Sequence, residues 1–146
     1  MEQAVEEFIG LKRLAVVGVS RNGRKFGNTI HKELKARGYD VFGVNRSMER
    51  FGGEKCYPNV TSLKGKVDGV VACVSPDQVE PVMREAAAIG VRHVWLQQGA
   101  ESLSSVDLGK QLGLSVVKGK CILMYAGPVK SFHKVHRFFV KMAGKL

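Results

Sequence analysis

The stretch RLAVVGVSRNGRKFGN, residues 13–28, decides the fold. Residues 13–19 (RLAVVGV) are a short run rich in β-branched side chains, the pattern of a buried strand. Gly18 closes that run, and a loop carrying three cations, Arg21, Arg24 and Lys25, leads to Gly27. Residues 27–37 (GNTIHKELKAR) then read as a helix, with Ile30 and Leu34 on one face and Gly38 as its stop. A strand, a glycine-flanked cationic loop and a helix form the first unit of a parallel sheet. The main-chain N–H groups of such a loop, together with the helix N-terminus, suit an anion, and a phosphate first of all.

The same unit recurs along the chain. Residues 40–44 (DVFGV) predict a second strand, and residues 45–65 read as loop, punctuated by Gly52, Gly53 and Pro58. Residues 67–75 (VDGVVACVS) predict a third strand. The SPDQ step after it opens a helix running to Gly90, with Ser75 as cap, Pro76 in the first turn and Gln78 closing a capping box. Residues 92–97 predict a fourth strand, 101–112 a helix stopped by Gly113, and 114–117 a fifth strand. The expectation is an α/β chain with an open, parallel, five-stranded sheet and helices on both faces. No repeat, low-complexity tract or linker divides it, so residues 1–146 read as one domain.

The last stretch differs. At about 100° per residue, Phe132, Val135, Phe138, Phe139 and Met142 fall on one arc, and Lys130, His133, Lys134, Arg137 and Lys141 on the opposite one. Residues 128–146 therefore read as a basic amphipathic helical extension. It is expected to dock on the sheet, on a second copy or on a protein partner, in preference to a lipid or nucleic-acid surface.

The net charge of +10 favours anionic partners, whether nucleotides, nucleic acid or an acidic surface. Apolar residues make up 45% and charged ones 25%, a soluble globular balance, and no run reaches the ~18 apolar residues of a membrane span. The acidic start MEQAVEEFIG lacks the basic and apolar regions of a signal peptide, so a cytoplasmic protein is expected. Three widely spaced cysteines, Cys56, Cys73 and Cys121, with no C-x-x-C pair, read as reduced thiols and not as a zinc or disulfide framework.

In open parallel sheets ligands bind at the carboxyl ends of the strands, where strand order reverses. The loop after Gly18 lies there. It is an incomplete dinucleotide fingerprint, with Ser20 where a second glycine would stand and only Gly23 in place. The second strand ends in Asn45-Arg46-Ser47, without the carboxylate that bonds ribose hydroxyls in an NAD site. A cation there suits a ribose bearing an extra phosphate, 2′ in NADP and 3′ in coenzyme A.

At this point the chain resembles the small single-domain CoA-binding proteins, which are related to the CoA-binding domain of the succinyl-CoA synthetase α subunit. The resemblance rests on VVGVSRNGRKFGN (16–28), GYDVFGVN (38–45), Cys56-Tyr57-Pro58, VDGVVACVSPDQV (67–79), VWLQQGAES (94–102) and KCILM (120–124). It implies a Rossmann-like domain that holds CoA or an acyl-CoA by its ADP part. By position, Gly18, Val19, Ser20, Arg21, Lys25, Gly27 and Asn28 would form the phosphate loop. Asn45 and Arg46 would lie near the ribose, Val74, Ser75 and Pro76 near the adenine, and Gln97, Gln98 and Gly99 would close the site. Arg46 and Ser75 stand where the family often has proline.

No catalytic set stands out. G-x-S-x-G and H-E-x-x-H are missing from the sequence, His133 and His136 lack a third metal ligand, and His31 and His93 read as a helix-surface and a strand-edge residue. Cys73 and Trp95 read as core, and Cys56 as a loop residue. Cys121, beside Lys118 and Lys120 near the same carboxyl edge, reads first as a partly buried structural cysteine and second as a thiol that could form an adduct with CoA, since neighbouring cations raise thiol reactivity. The expected activity is CoA binding without chemistry of its own. The rivals are an NADP-dependent oxidoreductase, for which no Tyr or Lys stands near Gln97–Ala100, and a nucleic-acid or protein interaction module built on the basic helix.

Overall fold

The fold is that of a computed structural model, which describes residues 3–20, 26–51 and 53–127. In chain order its helices and strands are α1 (Gln3–Ile9), β1 (Arg13–Val17), α2 (Phe26–Ala36), β2 (Asp40–Val44), β3 (Arg50–Phe51), β4 (Glu54–Tyr57), β5 (Gly69–Ala72), α3 (Val79–Ala88), β6 (His93–Gln97), α4 (Leu103–Leu112) and β7 (Ser115–Lys120). Short 3-10 turns occupy Thr61–Leu63, Pro76–Gln78 and Ile122–Met124.

The described residues form a seven-stranded sheet in the order β3-β4-β2-β1-β5-β6-β7. Six of these strands run parallel, and only β3 is antiparallel, paired to β4. The sheet is thus larger than the five strands expected. The extra strands lie in the segment read as loop, because β4 carries only the four residues Glu-Lys-Cys-Tyr and lacks a long apolar run. Cys56 accordingly sits buried in β4. The amphipathic helix expected over 128–146 lies outside the described residues.

Both faces of the sheet are covered, as period-two strands buried on two sides require. In β1, Leu14 and Val16 join one core with Val5, Phe8 and Ile9 of α1 and Ile30 and Leu34 of α2. Ala15 and Val17 join the other, with Val79, Val82 and Met83 of α3 and Leu108 of α4. Trp95 is fully buried under α1, its ring meeting Phe8 edge-on at 5.4 Å. At the amino edge the Arg13 guanidinium donates to both carboxylate oxygens of Asp68 (2.7 and 3.0 Å), tying β1 to the start of β5. No helix of the described residues is long and apolar enough to cross a membrane.

Two local expectations are corrected. Ser75 does not cap α3: its hydroxyl donates to the Asp77 carboxylate at 2.6 Å, and the 3-10 turn Pro76–Gln78 intervenes before the helix begins. A capping box does form at α4, where the Ser102 hydroxyl accepts from the Ser105 N–H and the Ser105 hydroxyl accepts from the Ser102 N–H. His31 is not a surface residue, since only 3% of it is exposed. The strand β4 explains this, because it carries the sheet past β2 beneath α2, and Lys35, one turn on from His31, pairs with Glu54 there.

Burial holds the His31 imidazole below its ordinary pKa of 6.5. The unfolded chain therefore takes up a proton at that residue before the folded chain does. Stability from His31 is present above pH 6.5 and is lost as pH falls from 6.5 towards the lower folded value. Urea unfolding between pH 7.5 and 5 should show this loss, and His31→Gln should flatten it.

Candidate functional site

The chain winds from β1 outward through β2 to β4, then returns to β5 on the other side of β1 and winds outward to β7. Strand order reverses between β1 and β5, and the carboxyl ends of those strands are the fold's built-in ligand position. Gly18 ends β1 there with φ +115°, a conformation that side-chain-bearing residues rarely adopt. A Cβ on Gly18 would lie 2.2 Å from the Cys73 carbonyl oxygen, beyond β5. A Cβ on Gly27 would lie 2.5 Å from the Gly18 carbonyl oxygen. The two glycines therefore allow three main-chain segments, around residues 73, 18 and 27, to stack in contact.

Asparagine side chains brace this stack. The Asn28 carboxamide accepts from the Ser20 N–H (2.7 Å) and hydroxyl (3.0 Å) and donates to the Ser20 carbonyl (2.9 Å). Asn45, at the end of β2, donates to the Val19 carbonyl (2.8 Å) and accepts from the Ser47 N–H (2.8 Å). Asn28 and Asn45 thus spend their polar atoms on the main chain and fix the shape of the turn. Arg21 and Lys25 lie outside the described residues.

Among the described residues, two clefts open at this edge. The first, about 430 Å³, runs from Val17, Gly18 and Val19 across Val44, Asn45 and Arg46 to Pro58, Asn59, Val60, Val74, Asp77 and Gln78, and ends on Pro81, Val82 and Glu85 of α3. Ser75 and Pro76 are exposed beside it. Its two carboxylates are engaged: Glu85 accepts from the Val60 N–H at 2.8 Å, and Asp77 accepts from the Ser75 hydroxyl. The second cleft, about 360 Å³, is lined by Phe26, Cys73, Val74, Gln97, Gln98, Gly99, Ala100 and Cys121. Val74 is the wall the two share.

Gly18, Val19, Asn45, Arg46 and Val74 thus meet around the first cleft, and Gln97, Gln98, Gly99 and Cys121 around the second. Gly27, Asn28 and Ser20 shape the ridge at the turn. Pro58 and Gln78, which the sequence presents as loop punctuation and a capping residue, join Asn59, Asp77 and Glu85 on the first cleft. Pro58-Asn59 follows a parallel strand whose existence the sequence concealed, and Glu85 belongs to the polar face of a helix. In the second cleft burial pushes the Cys73 thiol up to about 12, with Cys121 adding to the shift.

A doubly wound sheet with a glycine turn at its switch point is a nucleotide-binding architecture. The sequence model of the CoA-binding domain family matches residues 12–126, and the chain belongs to that family. It is similar to a conserved hypothetical protein of Pyrococcus furiosus, 36% identical, with a TM-score of 0.73 over 77% of this chain and 97% of that one. The α subunit of the ADP-forming acetate–CoA ligase II of the same organism is 24% identical over 97% of this chain, which spans about a third (32%) of the subunit. A dinucleotide-forming acetyl-coenzyme A synthetase of Ca. Korarchaeum cryptofilum, solved with phosphate and ADP, is 29% identical, with a TM-score of 0.67 over 77% of this chain and 26% of that one. A 4-hydroxy-tetrahydrodipicolinate reductase of Natronomonas pharaonis is 36% identical over 54% of this chain and 32% of that protein.

The contact at Gly18 yields a stability prediction. Gly18→Ala combines a positive φ with a main-chain overlap, and it should lose about 2–5 kcal/mol in urea unfolding. Gly99→Ala shares the positive φ, but its Cβ meets nothing within 4 Å. It should lose only about 1 kcal/mol.

Proposed function

We propose that this chain binds coenzyme A, or an acyl-CoA, by its ADP part at the carboxyl edge of the sheet and has no catalytic turnover of its own. The observation that carries the reading is the coincidence of the family match over residues 12–126 with a cleft that opens at Gly18, on the switch point. The diphosphate lies on the 18–28 loop, where Gly18 lets the main chain lie low, Val19 and Ser20 form the turn beneath it, and Arg21 and Lys25 supply charge. Gly27 and Asn28 hold the helix start against that loop. Adenine and ribose lie towards Asn45, Arg46 and the Val74–Pro76 turn, and Arg46 offers a cation to the 3′-phosphate.

The charges give this arrangement a direction. Asp77 and Glu85 line the far end of the first cleft, where they repel phosphate and tolerate the amino and hydroxyl donors of a nucleoside. Phosphates are therefore best placed at the glycine turn. Gln97, Gln98 and Gly99 line the second cleft, where they would close over the rest of the ligand. The whole chain acts as one CoA-binding domain in this reading, with the basic residues of 128–146 open to a protein partner or a second copy.

The likeness to a reductase supports a second reading, in which an NADP cofactor occupies the same turn. Calorimetric titration of the full chain with CoA, NADP and NAD separates the two. CoA should bind tightest, and Lys25→Ala or Arg46→Ala should each weaken it about tenfold, the worth of one charge-assisted contact. A preference for NADP would overturn the CoA reading.

A further inference from the structure

The second cleft brings together features that ADP binding leaves unused. Cys73 and Cys121 are free thiols, each partly exposed, and both line it. Between them stands Gln97, only 5% exposed. Its carboxamide oxygen accepts from the Ile122 N–H at 2.8 Å, which settles the orientation of the amide. Its nitrogen therefore faces the Cys121 sulfur and donates to it at 3.3 Å.

The backbone around Cys121 is held on several sides. The pairing of β6 with β7 slips between Trp95 and Gln97, so that Gln97 faces Lys120, and Gly119 takes up the strain at φ +72°. The Trp95 indole N–H donates to the Lys120 carbonyl at 2.9 Å. The Arg37 guanidinium donates to the carbonyls of Leu123 (3.0 Å) and Ala126 (2.7 Å), tying the turn after Cys121 to α2. The sulfur so fixed lines a cleft that shares Val74 with the first, on the side where the thiol end of a ligand held there by its ADP part would come to lie.

We propose that the second cleft is a thiol-exchange site, in which Cys121 takes up CoA as a mixed disulfide from a small disulfide that carries a CoA half. The proposal rests on the reading of the first cleft as the CoA site. Cys121 gives its proton to solvent, and its sulfur attacks the CoA-bearing sulfur of the incoming disulfide. The disulfide bond of the ligand breaks, a bond forms between Cys121 and the CoA sulfur, and the other half leaves as a thiolate that takes a proton from water. One disulfide is exchanged for another, so no further oxidant is needed.

Cys73 does not resolve the adduct. It follows β5 and Cys121 follows β7, with β6 between them. Two strand spacings separate the main chains by about 10 Å, whereas disulfides need Cα atoms within roughly 4.4–6.8 Å. Burial also keeps the Cys73 thiol protonated at neutral pH. The mixed disulfide therefore persists until an external thiol removes it, which makes it a store or a mark and not a step in turnover.

The test uses the full chain, reduced and desalted, then incubated with CoA disulfide and followed by intact mass and peptide mapping. One CoA-sized adduct should appear on Cys121, reverse with dithiothreitol, and form at least about tenfold faster than the adduct from glutathione disulfide, because the nucleotide tether raises the effective concentration. Cys73→Ser should leave it intact, and Cys121→Ser should remove it. No adduct on Cys121 of the unmutated chain, an adduct on Cys56 or Cys73 in its place, or equal rates with the two disulfides would overturn the exchange site. A loss of two hydrogens from a Cys73–Cys121 bridge would overturn the persistence. Calorimetry with reduced CoA on the same sample tells the failures apart: CoA bound without an adduct sinks only this inference, and CoA not bound sinks the underlying reading with it.

Discussion

The contact between the Gly18 main chain and the Cys73 carbonyl is the constraint on which the carboxyl edge depends. A parallel sheet leaves a crevice where its winding reverses, but that crevice becomes a ligand site only when the first turn stays low enough to keep it open. Here the turn is low because no Cβ stands at residues 18 and 27. The start of α2 settles onto the turn, and Ser20 and Asn28 lock together across it. Asn45 ties the same turn to β2. Strand, turn and helix are thus fixed relative to one another by main-chain contacts that need no charged group.

This separation of tasks clarifies the polar residues of the motif. Ser20, Asn28 and Asn45 are the types one would assign to a phosphate or a ribose, yet each makes hydrogen bonds to its own chain. Shape is maintained by short neutral side chains, and in the proposed reading the charge for an anion comes from Arg46 and the cations of the loop. The division is physically reasonable, because a carboxamide satisfied at both ends orients a backbone well, while a guanidinium gives more to an anion.

Much of the fold was legible, and the parts that were not share a cause. The strands β1, β2, β5, β6 and β7 announce themselves through β-branched runs closed by glycine or by a turn. The strand β4 does not, because a strand of four residues with two charges has no apolar signature. Its absence from the sequence reading also hid the burial of His31 and the place of Pro58 and Asn59 on the cleft. The helix α1 spans only seven residues, too few for the spacing of Val5, Phe8 and Ile9 to stand out as a helical pattern. At Ser75 local chemistry misleads: the residue types of a capping box are present, but the Gln78 N–H donates to the Ser75 carbonyl (2.9 Å) and closes a 3-10 turn, while the Ser75 hydroxyl donates to Asp77. For the site, residues on the glycine turn and at strand ends could be placed from topology alone. Asp77 and Glu85 could not, because they reach the cleft from a neighbouring turn and helix.

The antiparallel β3 has a consequence for how the sheet meets its surroundings. A parallel sheet exposes at each edge a row of unpaired amide groups that invites another strand. On one side that row ends in a two-residue strand running the opposite way, with Arg50 opposite Lys55. On the other, the slip in β7 and the lysines at 118 and 120 interrupt it. Both margins therefore discourage extension of the sheet by a further strand.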